Sequence, residues 1–203
     1  MRRRFLACWV ILICLLLGAC APAPPRNPTN ACGIFFQYPK WYWAAKKSQK
    51  KWGVPISVQL AIIHQESHFR ADAKPARRKI LWVIPWTRPT TAEGYAQAVN
   101  GTWRLYLQST GRSRADRANF DSATDFVGWF AYRVHRRFGI SRNNAYALYL
   151  AYHEGPTAYS RRSYLRKPWL MRVARKVAYH ANRYRAQLAG CASRIPKHHW
   201  WNF

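Results

Sequence analysis

The chain has 203 residues, with 34 lysines and arginines against 7 aspartates and glutamates, a formal net charge of +27. That length suits one domain around a single core and leaves too little chain for two. So large a cationic excess demands an anionic partner, drawn from nucleic acid, wall polymers, anionic lipid headgroups or lipopolysaccharide.

The N-terminus narrows that choice. Met1-Arg2-Arg3-Arg4 is basic, and Phe5 to Leu17 is almost wholly apolar. The run falls short of the ~20 residues a membrane-spanning helix needs, so residues 1–19 read as a secretory signal sequence. Leu17-Gly18-Ala19-Cys20 resembles the bacterial lipobox, which implies cleavage before Cys20 and diacylation of its thiol as a membrane anchor. Ala21, in place of aspartate, fits sorting to an outer membrane facing the periplasm. An exported chain meets no nucleic acid, so the anionic partner belongs to the envelope. Cys8 and Cys14 leave with the leader and Cys20 is lipidated. Cys32 and Cys191 are then the remaining thiols, expected to pair as a disulfide in an oxidising compartment.

Residues 20–37 read as the lipidated cysteine and a proline-rich tether, 38–191 as the catalytic domain and 192–203 as a tail. In chain order, Pro39 precedes a helix from Lys40 to Trp52 that Gly53 closes, and Pro55 opens a second helix to Glu66. Val58, Leu60, Ala61, Ile62 and Ile63 make that second helix apolar nearly all round, which predicts a central, buried position. From Ala73 to Thr91 prolines bracket Ile80-Leu81-Trp82-Val83-Ile84, a short strand or hairpin inserted beside Glu66. Further helices are predicted from Gly101 to Thr110 with Gly111 as stop, from a cap at Asp121 or Ser122 to Phe138, from Arg142 to Tyr152, and from Pro168 to Leu188. The fold class is mostly α, with a small β-hairpin insertion.

Of the acidic residues, only Glu66 and Glu154 interrupt strongly apolar or aromatic runs, after Leu60-Ala61-Ile62-Ile63-His64-Gln65 and Leu148-Tyr149-Leu150-Ala151-Tyr152-His153. Desolvation at the end of a buried helix favours a neutral carboxyl, ready to donate a proton near neutral pH. Glu66-Ser67, Gly94-Tyr95-Ala96-Gln97 before Thr102-Trp103, and Ala151-Tyr152-His153-Glu154-Gly155-Pro156 resemble, in order and spacing, the three motifs of the soluble lytic transglycosylase (SLT) domain. That family is related to goose-type lysozyme, and the resemblance covers residues 38 to 190.

The resemblance implies a lysozyme-like helical domain that cleaves the MurNAc-GlcNAc β-1,4 bond of peptidoglycan and leaves 1,6-anhydro-MurNAc ends. Glu66 would be the catalytic acid and then base, without metal or cofactor. Ser67 and Gln97 match groups that orient substrate or carboxylate, and Tyr152 matches a tyrosine placed to hydrogen-bond Glu66. Tyr95 and Ala96 replace the family's leucine and methionine, so Tyr95 would contribute to a differently built sugar site. Trp82 and Trp86 of the insertion are candidates for a lip that stacks on sugar faces. His153 and Glu154 replace asparagine and alanine. Glu154 leaves three roles open: a second carboxylate for hydrolysis by a muramidase, a like charge raising the pKa of Glu66, or a structural ion pair with an arginine. A non-catalytic peptidoglycan-binding lipoprotein is the remaining reading. His198-His199 has no partner motif for a metal.

Overall fold

The computed structural model describes residues 22–76, 79–80, 84–85 and 90–197. The leader, Cys20, Trp82, Trp86 and His198-His199 lie outside the described residues. Helices dominate: α1 Ala31–Gln37, α2 Pro39–Trp52, α3 Ile56–Ser67, α4 Asn100–Thr110, α5 Phe120–Phe138, α6 Ala145–Ser160 and α7 Pro168–Cys191. A 3-10 turn, Ser163–Arg166, separates α6 from α7. Within the insertion, β1 Lys79–Ile80 pairs antiparallel with β2 Ile84–Pro85, the expected hairpin. The mostly α class with a small β-hairpin read from the sequence is the observed one.

Helix α3 is central: every residue from Ile56 to His64 is buried, the polar Ser57, Gln59 and His64 included. It lies against α7 most extensively, with α2, α5 and α6 around it. Helix α5 crosses α2 so closely that a Cβ on Gly128 would sit 2.4 Å from Ser48 Oγ. The same crossing holds a buried carboxylate. Asp125 accepts from Trp52 Nε1 at 2.8 Å and Tyr106 Oη at 2.7 Å and pairs with Arg112 at 3.1 Å, so its charge is matched within the core.

Gly53, Gly111 and Gly139 end their helices at φ of 69°, 69° and 68°, the left-handed region that glycine enters without cost. At the start of α5 the cap is Asn119, whose side chain accepts from Ser122 N at 3.1 Å, rather than Asp121 or Ser122. Asp121 instead pairs with Arg112 at 2.6 Å. Helix α6 begins later than expected, at Ala145 behind an Asn144 cap, and extends past Tyr152 to Ser160. Helix α7 runs on to Cys191.

The tether expected over 20–37 is shorter than read. Its last part is α1, capped by Asn30, which accepts from Gly33 N at 3.0 Å. Helix α1 packs on α2 and α7, and Cys32 is disulfide-bonded to Cys191 at the end of α7. The proline-rich segment before it is docked on the domain. Tyr38 Oη donates to Ala23 O at 2.7 Å, Tyr184 Oη donates to Pro28 O, and Gln187 Nε2 donates to Thr29 O at 3.2 Å.

Candidate active site

Glu66 reaches its position because α3 carries it to the end of the central helix, where the next residues turn sharply. His68 and Phe69 both adopt left-handed φ, 53° and 62°. Such a conformation costs a β- or γ-substituted residue on the order of 1–3 kcal/mol and persists only where packing enforces it. Here Phe69 is fully buried, its ring stacked on His64 at 5.5 Å and on Trp41 at 6.2 Å. Gln97, across the site, is likewise left-handed at φ 46°. Its Nε2 donates to Ala73 O at 2.8 Å and Gly94 O at 2.9 Å, which ties the second motif to the chain just beyond α3.

Glu66 forms part of a cleft of about 590 Å³. Phe126, Trp129, Phe130 and Arg133 of α5 line one wall, and Thr102 and Leu105 of α4, with the Gln97-Ala98-Val99 segment, line another. Tyr152 and the Glu154-Gly155-Pro156 break in α6 complete it. A cleft that sets the Glu66 carboxyl among aromatic faces is suited to sugar rings, which present apolar faces and polar edges. Glu66 and Gln97 also border a smaller recess with Ser67, His68, Arg70 and Lys74.

The surroundings set the protonation of Glu66. It keeps a little exposed surface toward the cleft, but protein encloses its carboxyl, and that desolvation raises its pKa to about 7. The nearby Tyr149 hydroxyl favours the carboxylate and opposes the rise without cancelling it. Near neutral pH the group is therefore divided between acid and base.

Tyr149 is the residue that sequence reasoning missed. Tyr152 was expected to hydrogen-bond Glu66, but its hydroxyl donates to Ala96 O at 2.5 Å. It stays close enough for the charge of Glu66 to help push its own pKa up, after the larger effect of burial. Tyr149 and Tyr152 stand three apart on α6 and so share a face, a spacing that would have marked Tyr149 as a second candidate.

Three further expectations are corrected or refined. Tyr95 is 1% exposed and belongs to the core, its ring edge-on to Trp41 and Phe120 at 5.4 and 5.3 Å; it lines no part of the cleft. Ser67 is buried and its hydroxyl donates to Ile63 O at 3.2 Å, one helical turn back, so it borders the smaller recess but not the cleft. Glu154 does border the cleft, but its carboxylate is engaged. Lys167 Nζ donates to it at 2.7 Å, Ser163 Oγ donates to it, and His153 lies at 3.4 Å. The ion pair is thus with a lysine and not an arginine. Although burial works against ionisation, these partners hold its pKa below the ordinary carboxylate value. The rise in the pKa of Glu66 comes from burial.

Among the described residues, no group of three His, Cys, Asp or Glu side chains is placed to hold a metal ion. No curated protein matches the chain. A family model described as the transglycosylase SLT domain matches residues 8–191, most of its length. With a helical fold, a glutamate closing the central helix and a glycan-sized cleft in front of it, the chain belongs to the transglycosylase SLT family, lysozyme-like enzymes of the lytic transglycosylase type that act on peptidoglycan.

Proposed function

We propose that this chain cleaves the MurNAc-GlcNAc β-1,4 bond of peptidoglycan strands and closes the muramyl product to its 1,6-anhydro form, with Glu66 as acid and then base. One observation carries the reading: Glu66 is the cleft carboxyl whose pKa is raised to about 7, while Glu154 is held as an ion-paired carboxylate. Protonated Glu66 gives its proton to the glycosidic oxygen as the C1–O bond breaks, and the GlcNAc unit leaves as an alcohol. The N-acetyl oxygen of the muramyl residue stabilises the positive charge left at C1. The Glu66 carboxylate, supported by the Tyr149 hydroxyl, takes the proton from the C6 hydroxyl, and O6 closes on C1. The proton returns to Glu66, and no water is consumed.

Hydrolysis by two carboxylates would need Glu154 free to activate a water. Its engagement with Lys167 and Ser163 speaks for the single-carboxyl route. The envelope setting belongs to the same proposal: residues 1–19 are the leader, Cys20 carries the lipid, and the domain works from the outer membrane on periplasmic peptidoglycan. Digestion of purified sacculi, with the released muropeptides identified by mass, tests the reaction. Anhydro-muramyl ends support it. Ends heavier by one water would make the enzyme a muramidase, and binding without release would make it a wall-binding module.

A further inference from the structure

The break in α6 builds a second recess beside the cleft. Gly155, at φ 76° and ψ 156°, interrupts the helix, and the chain continues through Pro156 in a new direction. Arg162, left-handed at φ 53°, then turns it into Ser163–Arg166. The recess between these pieces has a volume of about 400 Å³ and is bordered by Thr157, Arg161, Ser163 and Arg166. Glu154, Gly155 and Pro156 line both this recess and the main cleft, so the two meet along a shared edge. That edge is fixed, because the Glu154 side chain is only 2% exposed and is clamped by Lys167 and Ser163.

Charge identifies what the recess would take. The chain has 7 acidic residues, all of them within the described segments. Asp72, Glu93, Asp121 and Asp125 pair with cations elsewhere, Glu66 stands in the cleft, and Asp116 accepts from Ala118 N in the loop before α5. Glu154, the acid bordering the recess, is matched by Lys167. Arg161 and Arg166 are exposed and have no carboxylate partner among the described residues, so they present uncompensated charge beside the glycan groove. In peptidoglycan each muramyl residue bears, on its lactyl group, a short peptide ending in free carboxylates.

We infer that the recess is a subsite for the acidic stem peptide of a muramyl residue seated in the cleft, with Arg161 and Arg166 pairing with its carboxylates. The inference rests on the reading of the cleft as a glycan site. A five-residue peptide extends to about 17 Å, and the cleft and the recess adjoin at Glu154, Gly155 and Pro156. The enzyme then favours peptide-bearing strands over strands stripped of peptide.

The test is equilibrium binding of the full chain in detergent, carrying Glu66→Gln so that strands remain uncut, to peptide-bearing strands and to strands stripped by an amidase. Adding Arg161→Ala and Arg166→Ala is expected to weaken binding to peptide-bearing strands about tenfold, the order two partly exposed charge pairs support, and to leave stripped strands unaffected. Lysine at both positions is expected to restore most of the difference. Equal loss on both kinds of strand, or no loss on either, would overturn the subsite. The readout needs no turnover, so it is independent of the product masses that decide the reaction itself.

Discussion

Replacing Tyr149 with phenylalanine separates the two influences on Glu66. The substitution keeps a buried ring and removes only the hydroxyl that favours the carboxylate. A hydrogen bond to a charged acceptor is worth about 1.5–3 kcal/mol. Its loss leaves desolvation unopposed and carries the pKa of Glu66 above about 7, at a cost of about 1.4 kcal/mol per pH unit. Since kcat/KM requires protonated Glu66, activity falls as pH rises through that pKa. The alkaline limb is therefore expected near pH 7 in the parent and to move upward by about one to two pH units in Tyr149→Phe. The maximal rate drops by roughly tenfold or more, because the carboxylate formed after proton donation loses its support. Initial rates of fragment release from sacculi, measured across the pH range for both proteins, give the result. An alkaline limb that stays in place or moves to lower pH would refute this assignment of Tyr149 and desolvation.

Glu66→Gln is expected to stabilise the fold in a pH-dependent way. The folded pKa is raised to about 7 from the ordinary 4.5, so the stability linked to protonated Glu66 is complete below about pH 4.5 and lost as pH rises through 7. The variant's advantage should grow to about 3 kcal/mol near pH 8, read from urea midpoints; a constant difference from pH 5 to pH 8 would contradict it. Glu154→Gln strips Lys167 of its partner and should cost about 1–2 kcal/mol, discounted because Lys167 is 41% exposed, while the products keep their anhydro ends. Abolished turnover in a folded Glu154→Gln protein would instead give that carboxylate a chemical role. Cys191→Ser releases a crosslink between residues 159 apart and should lower stability by about 2–5 kcal/mol, and an unchanged denaturation midpoint would show that the loop is held by packing alone.

Much of the helical frame is legible in local sequence because its punctuation is local. Gly53, Gly111 and Gly139 end helices through left-handed φ, Pro39 and Pro168 open them, and Val58 with Leu60 to Ile63 marks the central helix as apolar on most sides. What was misread depends on partners distant in sequence. Helix α1 is short and stands on contacts with α7 and on the Cys32–Cys191 bond, so a proline-rich neighbourhood hid it. Tyr95 occupies a motif position associated with the sugar site, yet Trp41 and Phe120, from two other elements, draw it into the core. The role of Glu154 stays open in the sequence because Lys167 and Ser163 reach it only after Gly155 and Arg162 have turned the chain back. Tyr149 and Tyr152 were distinguishable from sequence only by phase on α6, and phase alone does not say which hydroxyl meets Glu66 and which meets Ala96.

The chemistry assigned to the cleft stands on Glu66 holding its proton near neutral pH. The chain contains three glutamates, Glu66, Glu93 and Glu154, so glutamate labelled with carbon-13 at the side-chain carboxyl gives three resonances, each assignable by a Gln substitution. Titration by NMR is expected to place the Glu66 midpoint near 7 and that of Glu154 below the ordinary carboxylate value. A Glu66 resonance titrating at the ordinary 4.5 would mean that burial does not hold the proton, and Glu66 would lose its standing as the catalytic acid.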